Sequence, residues 1–216
     1  MFFLGVTAIM IAVGLGCLWY ESRRTRAWQE LATRPGMQFL GPRNDVLAKY
    51  GRFRVFHRGS GRKVYNAVAV QAGDVRLVAG DFRYSTGSGK SRSVHLHTIC
   101  VLESDQLDLP HCYLRPEHRL LDALGALFGG QDIDFAEDSA FSKAYVLQGD
   151  DESAVRAVFD EDVRAWFAER KDRRFHFEAE GRAMIFQLGK RCPPRDVPEL
   201  MDQALQVLKR LSRSSP

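Results

Sequence analysis

Val75-Arg76-Leu77-Val78-Ala79-Gly80-Asp81-Phe82-Arg83-Tyr84 and Arg92-Ser93-Val94-His95-Leu96-His97-Thr98-Ile99-Cys100-Val101-Leu102 are the two strongest strand signals in the chain. They are separated by Ser85-Thr86-Gly87-Ser88-Gly89-Lys90-Ser91, a connection rich in residues that favour turns. The pattern predicts a β-hairpin with its tip at Ser88. A tip symmetric about Ser88 sets Tyr84 opposite Arg92, Phe82 opposite Val94 and Asp81 opposite His95. Period-two geometry then gives one apolar face holding Val78, Phe82, Val94, Leu96, Thr98 and Cys100. The other face holds Asp81, Arg83, His95 and His97.

The tip invites comparison with a phosphate-binding loop, but that motif needs a glycine five places before Gly89, where Tyr84 stands, and a helix after it. Ser93 to Thr98 alternate as a strand instead. The glycines and cations of the tip still make an anion-contact candidate, comprising Arg83, Gly87, Gly89, Lys90 and Arg92. On the polar face, Asp81, His95 and His97 are weak candidates for a metal site, since histidine and carboxylate are common zinc ligands.

Outward from the hairpin, strands and helices occur without regular β-α-β alternation. Strands are expected at Met37–Leu40, Phe53–His57, Val64–Val70, Cys112–Arg115 and Tyr145–Gln148. A further hairpin is expected at 174–179 and 183–188, turning on Glu180-Gly181. Short helical patterns cover Asn44–Lys49 and Pro116–Phe128. A longer one, capped by Asp150, carries the stripe Val155, Val158, Phe159, Val163, Trp166 and Phe167. The last helix starts near Asp196 and carries Leu200, Met201, Ala204, Leu208 and Leu211. The acidic run Gln131 to Asp138 reads as a solvated loop. The fold class is therefore α+β, with a mainly antiparallel sheet and a few amphipathic helices.

The amino terminus is different in kind. Residues 2–20 carry no charge, and at 1.5 Å per residue they make roughly 28 Å of helix, close to a hydrocarbon core of about 30 Å. Trp19 and Tyr20 stand where interfacial aromatics belong. Arg23, Arg24 and Arg26 follow and no cation precedes, which puts the C-terminal side in the cytoplasm. A cleaved signal peptide would carry its charge on the other side. The expected organisation is a transmembrane and juxtamembrane helix over 1–34, ended by Pro35-Gly36, and a cytoplasmic α+β domain over 37–216.

Charge is uneven along the remaining chain. Residues 21–100 carry 15 Lys and Arg against 5 Asp and Glu, a net of +10. Residues 101–216 carry 16 against 22, so the membrane-proximal half is the basic one. Anionic lipid headgroups suit such a half. Nucleic acid is the other usual partner of a basic stripe, and a membrane tether argues against it. No C-x-x-C pair, G-x-S-x-G elbow or H-E-x-x-H helix is present, and no cofactor is expected.

Asp81-Phe82-Arg83-Tyr84-Ser85-Thr86-Gly87-Ser88-Gly89-Lys90-Ser91, Gln131-Asp132-Ile133-Asp134-Phe135 and Phe141-Ser142-Lys143-Ala144-Tyr145 together resemble an uncharacterised family of bacterial single-span membrane proteins with a soluble α+β domain. The resemblance implies the same anchored architecture in a bacterial inner membrane and supplies no activity. The function expected from the sequence is a non-enzymatic, membrane-anchored cytoplasmic module that binds a protein partner or lipid headgroups. Two alternatives stay open: a metal-dependent or hydrolytic enzyme centred on Asp81, His95 and His97, and a nucleic-acid binder using the basic half.

Overall fold

The computed structural model describes residues 2–117 and 131–214; the side chains of residues 2–10, 131 and 214 lie outside that description. The helix expected over Pro116–Phe128 falls almost wholly outside the described residues.

Among the described residues nine strands form one sheet, and every hydrogen-bonded neighbour is antiparallel. They are β1 (Met37–Gly41), β2 (Ser60–Ala72), β3 (Val75–Thr86), β4 (Ser93–Glu103), β5 (Leu109–Pro116), β6 (Gln131–Asp132), β7 (Tyr145–Gly149), β8 (His176–Gly181) and β9 (Ala183–Gln187). Their spatial order is β1-β2-β3-β4-β9-β8-β5-β7-β6. The late hairpin β8–β9 thus enters the middle of the sheet, between β4 and β5. The helices are α1 (Phe2–Leu31), α2 (Asp45–Lys49), α3 (Ser139–Ala144), α4 (Glu152–Val158), α5 (Glu161–Glu169) and α6 (Val197–Ser214). The α+β expectation holds.

Both faces of the central strands are covered. On one face Trp28, Leu31, Trp166, Phe167, Leu200 and Ala204 pack on Leu77, Ala79, Cys100, Leu102 and Phe186. On the other, Val46, Tyr50, Phe53 and Phe56 pack on Val78, Phe82, Ile99 and Ile185. Covering on two faces explains why β3 is buried without interruption from Leu77 to Phe82 rather than alternating with solvent. Residues 53–57 were expected as a strand. Arg54–His57 instead form a 3-10 turn that turns Val55 and Phe56 into this second core. Both carboxylate oxygens of Glu178 accept from the Arg54 amide, at 3.0 and 2.8 Å, and so fasten the turn to β8.

The hairpin register differs from the symmetric expectation by three residues. Asp81 faces Thr98, Phe82 faces His97, Arg83 faces Leu96 and Tyr84 faces His95. The ladder closes at Thr86 and Ser93, and the tip beyond it contains a 3-10 turn over Gly89–Ser91 with Gly87 at φ 72°. A shift by an odd number exchanges the faces of one strand relative to the other. Asp81, Arg83, Val94, Leu96 and Thr98 therefore share the face turned to α1. Phe82, Tyr84, His95 and His97 share the opposite face.

Two further expectations change. The single helix foreseen after Asp150 is two, broken at Phe159–Asp160. Asp151 caps α4 by accepting from the Ala154 amide, and Asp160 caps α5 by accepting from the Val163 amide at 2.9 Å. The acidic run is not simply solvated either. Ile133 and Phe135 are buried, and the guanidinium groups of Arg156 and Arg164 lie 4.7 and 4.2 Å from the Phe135 ring centre.

Asp160→Ala should lower stability by about 1 kcal/mol, because the α5 amides lose their cap. A lower urea midpoint with an unchanged denaturant slope would report it; an unchanged midpoint would mean that the break between α4 and α5 is held by packing alone.

Candidate functional site

The helix α1 meets the sheet along a stripe that alternates steps of four and three residues: Cys17, Glu21, Arg24, Trp28 and Leu31. Its lower end is apolar, with Trp28 and Leu31 inside the main core. One turn higher the stripe becomes ionic. Arg24, 7% exposed, inserts against the fully buried Asp81 of β3. Its Nε donates to Oδ2 at 2.7 Å and its Nη2 to Oδ1 at 2.6 Å, the bidentate geometry that a guanidinium and a carboxylate favour.

The rest of the shell completes the valences. Arg24 Nη2 also donates to the Cys192 carbonyl at 2.7 Å. Asp81 accepts from Asn66 Nδ2 at 3.1 Å and from the Thr98 hydroxyl at 3.3 Å. Asn66 reaches this position because β2 bulges there and its backbone turns left-handed, with φ 51°, a conformation asparagine tolerates. Arg191 lies alongside, donating to both oxygens of Glu21 at 2.6 Å and to the Tyr65 hydroxyl at 2.6 Å. Its hydrogen bonds hold the Glu21 carboxyl below the ordinary range. Two arginines and two carboxylates thus bind the root of α1 to the sheet.

Above this root the helix leaves the domain. Ile11, Val13, Leu15, Leu18, Trp19 and Tyr20 are 57–70% exposed, a contiguous apolar surface of a kind soluble monomers rarely show. Among the described residues no helix is long and apolar enough to cross a membrane. The span expected over 2–20 draws on side chains outside that description. Two grooves flank the departing helix. One, of about 710 Å3, has Cys17, Val94 and Leu96 as apolar walls and Lys63 and Arg83 as cations. The other, of about 370 Å3, lies between Trp19, Tyr20 and Arg23 on one side and Pro193 and Pro194 on the other.

The anion candidates do not form one cluster. Gly87, Gly89 and Lys90 are together at the exposed tip, with both glycines left-handed. Arg92 is drawn back along the hairpin, where its Nη2 donates to Ser85 Oγ at 3.2 Å. Arg83 is half-buried in the larger groove, below the tip.

The Asp81, His95 and His97 triad is not assembled, because the register puts Asp81 on one face and both histidines on the other. Among the described residues no group of three His, Cys, Asp or Glu side chains is placed to hold a metal ion. The histidine rings instead stack on Tyr84, with centroids at 4.7 and 5.5 Å. His97 is 8% exposed and its Nδ1 finds no hydrogen-bond partner. Burial, the nearby Arg58 cation and His95 push its pKa down to about 4. It is a neutral aromatic spacer at physiological pH.

Sequence reasoning missed Arg24, Glu21 and Arg191. Arg24 reads as one of three juxtamembrane cations, yet it differs from Arg23 and Arg26 by standing on the Cys17–Leu31 stripe. That spacing was the available signal.

Two measurements follow from this geometry. Arg24→Met leaves the buried Asp81 carboxylate unpaired and should cost about 3–5 kcal/mol in urea unfolding of the detergent-solubilised protein, whereas Arg24→Met with Asp81→Leu should recover most of it. A small loss in the single variant would mean that Arg191, 3.7 Å from Asp81, suffices. The second concerns pH. His97 falls from an ordinary 6.5 to about 4 on folding, so the unfolded chain takes up the proton first. Its contribution to stability is complete above about pH 6.5 and is lost as pH falls towards 4, by an amount on the order of 3 kcal/mol. His97→Gln should flatten the pH profile in that window; a slope equal to wild type would remove His97 as its source.

No family model matches the chain, and no curated protein matches it. Among solved structures, the fold is similar to the crystal structure of the mycobacterial trehalose monomycolate transport factor A, TtfA, with a TM-score of 0.59 at 12% sequence identity, over 88% of this chain and 93% of that one.

Proposed function

We propose that this chain is a non-enzymatic, membrane-attached interaction module whose domain is held at a fixed attitude to the bilayer. The observation that carries this reading is the exposed apolar surface from Ile11 to Tyr20 on a helix rooted by the buried Arg24–Asp81 pair. Residues 2–20 serve as a single span in a bacterial inner membrane, and the α+β domain lies on the cytoplasmic side. Arg23 and Arg26 stay exposed just below the aromatic pair, so they still act as orienting charges although Arg24 does not.

The charge of the sheet supports the same attitude. Arg62, Lys63, Arg83, Lys90 and Arg92 all lie towards the end of the β2–β3–β4 meander from which α1 departs. The opposite end carries Glu103, Asp105 and Glu180, paired with Lys49, Arg182 and Arg52. A basic end turned to an anionic leaflet gains about 1 kcal/mol per cation near the surface. The likeness to a transport factor adds a class to this reading: an accessory to the handling of an envelope amphiphile, acting by binding rather than by bond chemistry.

Topology is open to a direct test. A fluorescent protein fused at the carboxyl terminus should fluoresce, a phosphatase fused there should be inactive, and the protein should stay with membranes through alkaline carbonate. Strong periplasmic phosphatase activity, or release by carbonate, would overturn the reading.

A further inference from the structure

Lys63 of β2 and Arg83 of β3 stand directly opposite each other in the antiparallel register. Like charges in that position destabilise a sheet unless something of opposite sign lies between them. Neither side chain makes an ion pair or a hydrogen bond within the described residues. The nearby carboxylate is Glu21, on the same groove and close enough for Arg83 to act on its charge, but both of its oxygens accept from Arg191 at 2.6 Å. The pair faces the larger groove, whose apolar side is formed by Cys17 from α1 and by Val94 and Leu96 from β4, while Glu21, Asn44 and Tyr65 are its other polar groups. Val94 is 49% exposed and shares the groove with Cys17 of the departing helix. A ligand seated there would meet two cations at one end and a hydrocarbon-lined path towards the bilayer at the other.

We infer that this groove binds the headgroup phosphate of one anionic phospholipid between Lys63 and Arg83, with the first part of an acyl chain lying along Cys17, Val94 and Leu96. The inference deepens the membrane-attached reading, since the lipid would be drawn from the leaflet in which α1 is anchored. Apolar contact and charge act together, so a lipid is favoured over free phosphate. The hairpin tip is not part of the site: Lys90 stands exposed beyond the last ladder pair and does not line the groove, and Arg92 is engaged with Ser85.

The test uses full-length protein in a neutral maltoside detergent, titrated with a short-chain phosphatidylglycerol and read by native mass spectrometry and by thermal shift. Wild type should take up one phosphatidylglycerol, and phosphatidylcholine of the same chain length should bind at least tenfold more weakly. Lys63→Gln with Arg83→Gln should weaken phosphatidylglycerol binding at least tenfold, while Lys90→Gln with Arg92→Gln should change it less than twofold. Without lipid the Lys63/Arg83 double variant should be at least as stable as wild type, because a like-charge pair has been removed. Unchanged affinity in that variant would overturn the site, and so would inorganic phosphate competing as well as the lipid. Carbonate extraction of wild type tests membrane attachment separately. Release there with intact lipid binding in detergent would fault the attachment and leave the groove standing.

Discussion

The ion pair of Arg24 and Asp81 is the constraint on which the rest of the arrangement depends. A carboxylate with no exposed surface inside a nine-stranded sheet is costly unless its charge and lone pairs are met. The guanidinium, Asn66 and Thr98 meet them, and the Cys192 carbonyl takes a further guanidinium N–H. Such a pair contributes little net stability relative to apolar packing, but it tolerates only one alignment of helix on sheet. A slide of α1 by one turn would bury a carboxylate without its partner. Trp28 and Leu31 supply the apolar burial that attaches the helix, and Arg24 fixes where along the sheet it attaches.

Burial on both faces follows from the same architecture. The helical layer of α5 and α6 fills one side with an aromatic cluster in which Phe175 and Phe186 approach to 4.6 Å. The thinner layer of α2 and the 3-10 turn over Arg54–His57 fills the other. With both sides sealed, the polar groups on the central strands must be satisfied internally. That is why buried Asp81 and Glu178 each sit in a small closed network, on opposite faces of one sheet.

Much of this was legible in the sequence. The hairpin at residues 75–102, the second hairpin turning on Gly181 and the last helix are all local patterns, and local patterns survive in the fold. What failed depended on a turn or on a distant partner. Seven residues between two good strands do not specify where the ladder closes, and the compact turn at Gly89–Ser91 moved the register by three. That one error separated Asp81 from His95 and His97 and dissolved the apparent metal face. The stripe from Val155 to Phe167 was read correctly as buried, but two aspartates nine residues apart, Asp151 and Asp160, cap two helices rather than one. Arg24 was concealed by its neighbours, because a cation after an apolar run has an orienting role that needs no buried carboxylate 57 residues away.

The continuity of α1 has a mechanical consequence. Thirty residues of uninterrupted helix make a rod roughly 45 Å long, with no glycine or proline between Cys17 and Leu31 to act as a joint. A force applied to the sheet is passed through the Arg24 contact as torque rather than absorbed as slack. The glycines nearest the domain, where the rod could flex, are Gly14 and Gly16, above the domain and within the exposed apolar stretch. Between that segment and the domain, the tilt of the helix and the orientation of the sheet are therefore a single degree of freedom.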